Sequence, residues 1–323
     1  RRRTTGLSLQ HHRAARIEAV RESPYYAQAH LLLRYLPALS EADCFALKGG
    51  TAINLFVRDL PRLSVDIDLA FLPLSDRATA PDDVRAALSR VALKAEKLVP
   101  GLRVVPAGTA DAPKQVASNG EVQIKIEPNP VIRGTVFPVE SRRLTPTSEE
   151  IFELSASATV VSHADLYASK LCAALDRSHP RDWFDIRLLL QHEGFDDPLR
   201  QAFVVYLASH PRPMAELLAP HFKALGTAYS REFEGTARQP VTVAELEATQ
   251  LEVPALLRSM LTNAERRFLL SIKLGEPDWS LLPIPHLEQL PAVRWKLDNI
   301  EALKRNPVKH TDAVERLRRI LEL

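Results

Sequence analysis

The chain of 323 residues is 46% hydrophobic and 25% charged. That is the balance of an ordinary globular protein long enough for about two domains at ~150 residues each, and it excludes collagen-like, disordered and short disulfide-stapled classes. Lys and Arg number 42 against 40 for Asp and Glu, a formal net charge of +2, so global charge points to neither a nucleic-acid nor a membrane partner. Cys44 and Cys172 stand far apart in apolar contexts, which leaves no cysteine zinc cluster and fits a reducing compartment. No stretch approaches the ~20 apolar residues of a membrane span and no apolar h-region follows the arginine-rich start, so the expectation is a cytoplasmic protein.

In chain order, residues 12–36 have a helical pattern, with Ile17, Val20, Leu31, Leu32, Leu33 and Leu36 broken near Pro24. From Cys44 the period changes. Phe45-Ala46-Leu47 leads into Lys48-Gly49-Gly50-Thr51, residues 52–57 read as a short helix, and residues 64–71 alternate polar and apolar as a half-buried strand. Residues 82–99 form an amphipathic helix with Val84, Leu88, Val91, Leu93 and Leu98 on its apolar side and Asp82 and Asp83 at its positive end. Strands are expected near 102–105, 122–127 and 131–138. Ser162-His163-Ala164-Asp165 has capping-box spacing before a helix to about 175, and Pro180 opens another to about 192. The remainder is helical, with loops at 211–213, 275–277 and 283–285.

The fold expected is therefore α+β: a small mixed-sheet core over 41–160, preceded by N-terminal helices over 1–40 and followed by a helical C-terminal region over 161–323.

Acid-x-acid spacing is common by chance, and Glu41/Asp43, Glu232/Glu234 and Glu245/Glu247 share it with Asp66/Asp68. What separates Asp66 and Asp68 is their strand. Val65, Ile67 and Leu69 point one way, so Ser64, Asp66 and Asp68 share the opposite face with the carboxylates ~6–7 Å apart. Such a pair repels itself unless cations are present and suits magnesium; taken alone it is equally a solvated strand face. Gly49-Gly50-Thr51 between strand and helix can bring backbone N–H groups and a hydroxyl to phosphate oxygens, or can be only a tight turn. Glu127 ends the alternating run Gln123-Ile124-Lys125-Ile126-Glu127 and can join the first two acids, or pair with Lys125 as a solvated strand acid.

Gly-Gly-Thr at a helix start, Asp-x-Asp on the next strand and a later strand-borne acid resemble the nucleotidyltransferase core of the DNA polymerase β-like superfamily. In more detail, Leu47-Lys48-Gly49-Gly50-Thr51-Ala52 followed by Arg62-Leu63-Ser64-Val65-Asp66-Ile67-Asp68-Leu69 resembles the signature of the AbiEii/AbiGii toxin family. The segment from Asp165 to Leu175 is similar to that family's lysine-bearing helix, Arg181-Asp182-Trp183-Phe184-Asp185-Ile186 to its basic-Asp-x-x-Asp motif, and Leu261 to Trp279 to its helical C-terminal region. The superfamily usually carries serine where Thr51 stands; a threonine hydroxyl also meets phosphate.

The resemblance implies a metal-dependent nucleotidyltransferase toxin of a bacterial toxin–antitoxin system, transferring a nucleoside monophosphate from an NTP to an acceptor, the 3′ end of tRNA being the expected one. Asp66, Asp68 and Glu127 would hold Mg2+ (or Mn2+), with Lys170 and Asp185 completing the catalytic set. Gly49, Gly50, Thr51, Ser64, Lys170, Arg181 and Asp182 would bind the nucleotide. The partners implied are an NTP, structured RNA such as tRNA and a separately encoded antitoxin.

Read from the residues alone, Lys170 lies among Leu166, Ala173 and Ala174 and needs an anion such as a triphosphate, unless its ammonium snorkels to the surface. Arg181 and Asp185 can pair at i,i+4, and Asp182 can serve the helix dipole. Local basic clusters occur at Arg1 to Arg3 with Arg13 and Arg16, at Arg266, Arg267 and Lys273, and over 294–319; any could meet RNA or be an exposed helix face. Two rivals remain open: a small-molecule, aminoglycoside-type nucleotidyltransferase and a catalytically inert binding module.

Overall fold

The computed structural model describes residues 17–323. Arg1 to Arg3, Arg13 and Arg16 and the start of the expected N-terminal helix lie outside the described residues. Seven strands form one mixed sheet in the order β3-β4-β5-β2-β1-β7-β6: β1 (Phe45–Lys48), β2 (Asp66–Phe71), β3 (Arg103–Gly108), β4 (Pro113–Ser118), β5 (Gln123–Arg133), β6 (Glu140–Arg143) and β7 (Ser157–Val160). Helix α1 (Tyr26–Tyr35) precedes the sheet, α2 (Gly49–Ala52) follows β1, α3 (Ala80–Leu98) follows β2, and α4 (Pro146–Phe152) lies between β6 and β7. The chain then becomes helical through α5 (His163–Arg177), α6 (Pro180–His192), α7 (Asp197–Ser209), α8 (Met214–Leu218), α9 (Gly226–Glu232), α10 (Val243–Met260), α11 (Asn263–Leu274), α12 (Pro291–Lys304) and α13 (Pro307–Leu321).

The α+β class is what the structure has, and the mixed sheet is larger than the alternating runs suggest. Strand β5 continues through residues 128–133, so no separate strand occupies 131–138. Its pairing with β2 jumps between Pro128 and Arg133, and Asn129 Oδ1 accepts the amides of Val131 (2.9 Å) and Ile132 (2.8 Å) in a bulge that restarts the strand. Gly134, at φ +74°, then turns the chain away, where a Cβ would press on Leu74 and Leu290. Strands β4 and β6 have no apolar alternation to announce them; β6, Glu-Ser-Arg-Arg, is a charged edge strand. The segment after β1 begins helical one turn earlier than expected and finishes over Ile53–Val57 as a π turn. In α3, Leu93 and Leu98 are exposed, so the buried stripe is Val84, Ala87, Leu88, Val91 and Ala95.

The sheet's apolar face carries Leu47, Ile67, Leu69, Ile124, Ile126 and Ala117, all 1% exposed or less. Helices α1 and α3 pack over it, and Tyr35 and Gln115 join them through hydrogen bonds from Tyr35 Oη to Gln115 Oε1 (3.3 Å) and from Gln115 Nε2 to the Leu88 carbonyl (3.0 Å).

Asp165 has a larger role than helix capping. Ser162 Oγ accepts its amide at 3.0 Å as the spacing predicts. The fully buried carboxylate instead accepts the amides of Val136 (2.8 Å) and Phe137 (2.9 Å), the Tyr206 hydroxyl (3.0 Å) and the Ser162 hydroxyl (2.7 Å). It fastens the loop after β5 to α5 and α7. Replacing a charge-bearing hub strands several donors at once, so Asp165→Ala should lose about 3–5 kcal/mol of unfolding free energy in denaturant titrations; a loss under ~1 kcal/mol would show that the hub is dispensable.

Candidate active site

Register assembles the site. Strand β2 pairs antiparallel with β1, placing Lys48 beside Asp68, and parallel with β5, placing Lys125 beside Asp66 and Glu127 beside Asp68. Lys48, Asp68 and Glu127 thus form a row across three adjacent strands, on the face opposite the apolar core. The three acids read from alternation share this face. Glu127 does not pair with Lys125; its Oε1 accepts Lys114 Nζ at 2.6 Å.

The Gly-Gly loop closes over that row. Gly49 has φ +71°, and a Cβ there would overlap the Asp68 carboxylate, so glycine is needed both for the backbone and for the approach. A Cβ on Gly50 would meet Arg62 Nη2 at 2.8 Å and Ser64 Oγ at 2.9 Å. Thr51 is fully buried, and its hydroxyl donates to the Asp66 carbonyl (2.6 Å) and lies within hydrogen-bonding distance of Ser64 Oγ (3.1 Å), tying the helix start to β2.

Behind the loop lies a buried charge network. Lys170 on α5 is 6% exposed, and its anion comes from the protein: Nζ meets Asp182 Oδ1 at 2.9 Å and Asp185 Oδ2 at 3.2 Å. Asp185 also takes a two-pronged contact from Arg62, Nε at 2.9 Å and Nη2 at 2.7 Å, and Asp182 another from Arg177, Nε at 2.8 Å and Nη2 at 3.1 Å. Asn54 bridges the network to the loop, its Nδ2 donating to the Gly50 carbonyl (2.8 Å) and to Asp185 (3.3 Å). Arg181 does not pair with Asp185; its guanidinium donates to the Glu232 carbonyl at 3.0–3.1 Å. Lys48, Arg62, Asn54 and Arg177 were not singled out from sequence. Lys48 and Arg62 flank the Gly-Gly and Asp-x-Asp blocks and could have been found by proximity; Asn54 and Arg177 gave no signal.

The electrostatics divide the acids into two sets. Burial, and then the neighbouring Glu127, push the Asp66 carboxyl above its ordinary pKa against the pull of Lys125 and Arg181. Burial likewise raises Asp68, with Lys48 and Lys170 opposing and Asp66 and Glu127 adding. Burial lowers the Lys48 ammonium, though Asp68 resists. In the network the pairing wins over burial: Lys170 and Arg177 hold Asp182 well below the carboxylate range, Arg62 and Lys170 lower Asp185, and Asp182 and Asp185 raise Lys170.

Among the described residues no three His, Cys, Asp or Glu side chains converge into a ready-made metal cluster. The donor chemistry nevertheless suits a divalent ion such as magnesium. Two neighbouring carboxylates already bind protons more readily than usual, and magnesium commonly takes one or two carboxylates, with water and substrate phosphates completing its shell.

A mixed sheet with a Gly-Gly helix start, two acids on the next strand and a third across from them is the arrangement that the resemblance to a nucleotidyltransferase core leads one to expect. A profile of the family described as nucleotidyl transferase AbiEii toxin, type IV toxin–antitoxin system, matches residues 30–299, and the chain belongs to that family. MenT4, a nucleotidyltransferase toxin from Mycobacterium tuberculosis H37Rv, has a similar fold, with a TM-score of 0.58 and 18% identity over 90% of this chain and 98% of its own. No curated protein sequence matches. Among the described residues no helix is long and apolar enough to cross a membrane.

A carboxyl with raised pKa takes up its proton on folding, so it costs stability as pH climbs from the ordinary carboxylate value through the raised one. Asp66→Asn should therefore raise the melting temperature at pH 7.5, and the gain should shrink as pH falls through the raised value. Asp185, lowered instead, contributes stability above the ordinary carboxylate range, so Asp185→Asn should lower the melting temperature at pH 7.5. Scanning calorimetry at several pH values reads both, and equal shifts of one sign would contradict the two-set division.

Proposed function

We infer that the protein transfers a nucleoside monophosphate from an NTP to an acceptor hydroxyl, with the 3′ end of tRNA as acceptor. The observation that carries this reading is the register that sets Asp66, Asp68 and Glu127 on one sheet face beneath the Gly49-Gly50 loop.

Asp66 and Asp68, with Glu127 once released from Lys114, would hold a divalent metal, Mg2+ or Mn2+, which would supply Lewis-acid neutralisation of the charge developing in the transfer. The amides of Gly49 and Gly50 and the Ser64 hydroxyl receive phosphate oxygens. Lys48, beside Asp68, and Arg177 meet the triphosphate's negative charge. Lys170, Asp182 and Asp185 hold the loop in place from beneath, Lys170 adding positive potential, and Thr51 fixes β2 against it. Arg181 lies toward Asp66 at the mouth of the site. The acceptor oxygen forms a bond to the α-phosphorus, the bond to the bridging oxygen breaks, pyrophosphate leaves with that electron pair, and the hydroxyl proton passes to a site carboxylate or water. A separately encoded antitoxin, as in the family's type IV systems, restrains the activity in the cell.

Incubation of the protein with each α-labelled triphosphate, magnesium and total cellular RNA should label tRNA. Asp66→Ala and Asp68→Ala should each reduce labelling by several orders of magnitude, since metal-assisted charge stabilisation contributes several kcal/mol, while both variants stay folded because the side chains lie off the apolar core. Full activity in either variant would remove the pair from the site. Periodate-oxidised tRNA, lacking an intact terminal ribose, should accept no label; labelling equal to untreated tRNA would refute the 3′-terminal acceptor, and label appearing only on small molecules would favour the aminoglycoside-type activity. Growth should slow on expression of the wild type and not of Asp66→Ala.

A further inference from the structure

The sheet's other face carries a buried cation that the proposed chemistry does not use. Arg133 closes β5 in register with Phe71, and Phe71 points to the same side as Ile67 and Leu69, opposite Asp66, Asp68 and Glu127. Arg133 is 6% exposed, and among the described residues its buried Nε–H has no hydrogen-bond partner and its guanidinium no ion pair. An N–H held out of water without an acceptor is costly, and such an exception in a folded protein calls for a partner. Arg133 lines a cleft of about 420 Å³ between the β5 bulge, the start of α3 and α12, a volume suited to one small organic molecule.

The walls specify the rest of that molecule. Arg77 lies over the Trp295 ring, 5.6 Å from its centroid, and Arg294 stands beside it on α12. Burial and the nearby Arg77 lower the Arg133 pKa, with Asp76 opposing, and the two cations together make this part of the cleft positive. The exposed part of the lining carries Asp76, Asp111 and Asp298 together with Arg77 and Arg294. With three carboxylates interspersed among three guanidiniums, a run of phosphates would meet acids as well as cations, whereas a single phosphate on a small ligand can settle on the arginines alone.

We propose that this cleft is a second, non-catalytic binding site for a phosphorylated small molecule of mononucleotide size, its phosphate on Arg133 and its ring against Trp295. The site goes beyond the transfer activity and does not depend on it, since it lies on the opposite face of the sheet and shares no side chain with the carboxylate row.

Calorimetric titration of the whole chain with inorganic phosphate, with AMP and with a twelve-nucleotide RNA tests the proposal. AMP and phosphate should bind the wild type and Asp68→Asn alike. Arg133→Gln should weaken both roughly tenfold or more, the usual scale for losing a hydrogen bond to a charged group, and Trp295→Ala should weaken AMP more than phosphate. Without ligand, Arg133→Gln should melt no lower than the wild type, which separates an unsatisfied ligand-facing cation from a structural one. Unchanged AMP binding in Arg133→Gln, or no binding of AMP or phosphate to the wild type, would overturn the site; RNA binding that depends on Arg133 without mononucleotide binding would replace it with an RNA-docking face. If Arg133→Gln does not fold, a wild-type AMP affinity in Trp295→Ala overturns the proposal by itself.

Discussion

Lys170 bridging Asp182 and Asp185 is the interaction on which the site's architecture depends. All three side chains are removed from water, where an unbalanced charge would cost several kcal/mol, so α5 and α6 can pack together only with these groups in contact. Arg62 completes the balance at Asp185 from the loop ahead of β2, and Asn54 carries it on to the Gly50 carbonyl. The helical region and the sheet are thereby locked at the point where the chain turns through Gly49 and Gly50. Breaking one partner leaves another charge uncompensated, so the network behaves as a unit rather than as separable pairs.

The carboxylates above that network have the opposite character. Asp182 and Asp185 are stabilised as anions by cations that never leave them. Asp66 and Asp68 are held partly out of water and near another acid, with charge incompletely answered by the protein. Carboxylates perturbed in this way cluster at functional sites. Charge balance on one side of the Gly-Gly loop and incomplete balance on the other let the frame stay rigid while the carboxylate face keeps charge that the protein does not fully answer.

How much of this could be read from sequence follows from the range of each interaction. Period-two alternation placed Asp66, Asp68 and Glu127 on one face because side-chain direction in a strand is a local property, although only pairing with β1 revealed Lys48 in the same row. The need of Lys170 for an anion was legible from its apolar helix; that Asp182 and Asp185 supply it was not, because the answer depends on how α5 and α6 turn against each other. The contact between Arg62 and Asp185 spans 123 residues, and no local pattern encodes it. Strand β4, Pro-Lys-Gln-Val-Ala-Ser, was unannounced because its neighbours β3 and β5 stabilise it rather than its own composition. Asp165 had the spacing of a cap and fulfils it, but its carboxylate is claimed by a loop brought near only by the finished fold.

Strand β5 shows how one element can serve two chemistries. Through Glu127 it follows a strict alternation, polar residues over the site and Ile124 and Ile126 into the core. An uninterrupted strand would have carried that pattern to its end, with each later side chain's face fixed by parity. The bulge after Pro128 breaks the register with β2 and resets it at Arg133, delivering a cation to the apolar side just before Gly134 turns the chain away. The acid row is thus confined to the first half of the strand, and the guanidinium is separated from it by the thickness of the sheet. Arg133 is thereby kept from the acids, whose own side of the sheet already carries Lys48, Lys114 and Lys125.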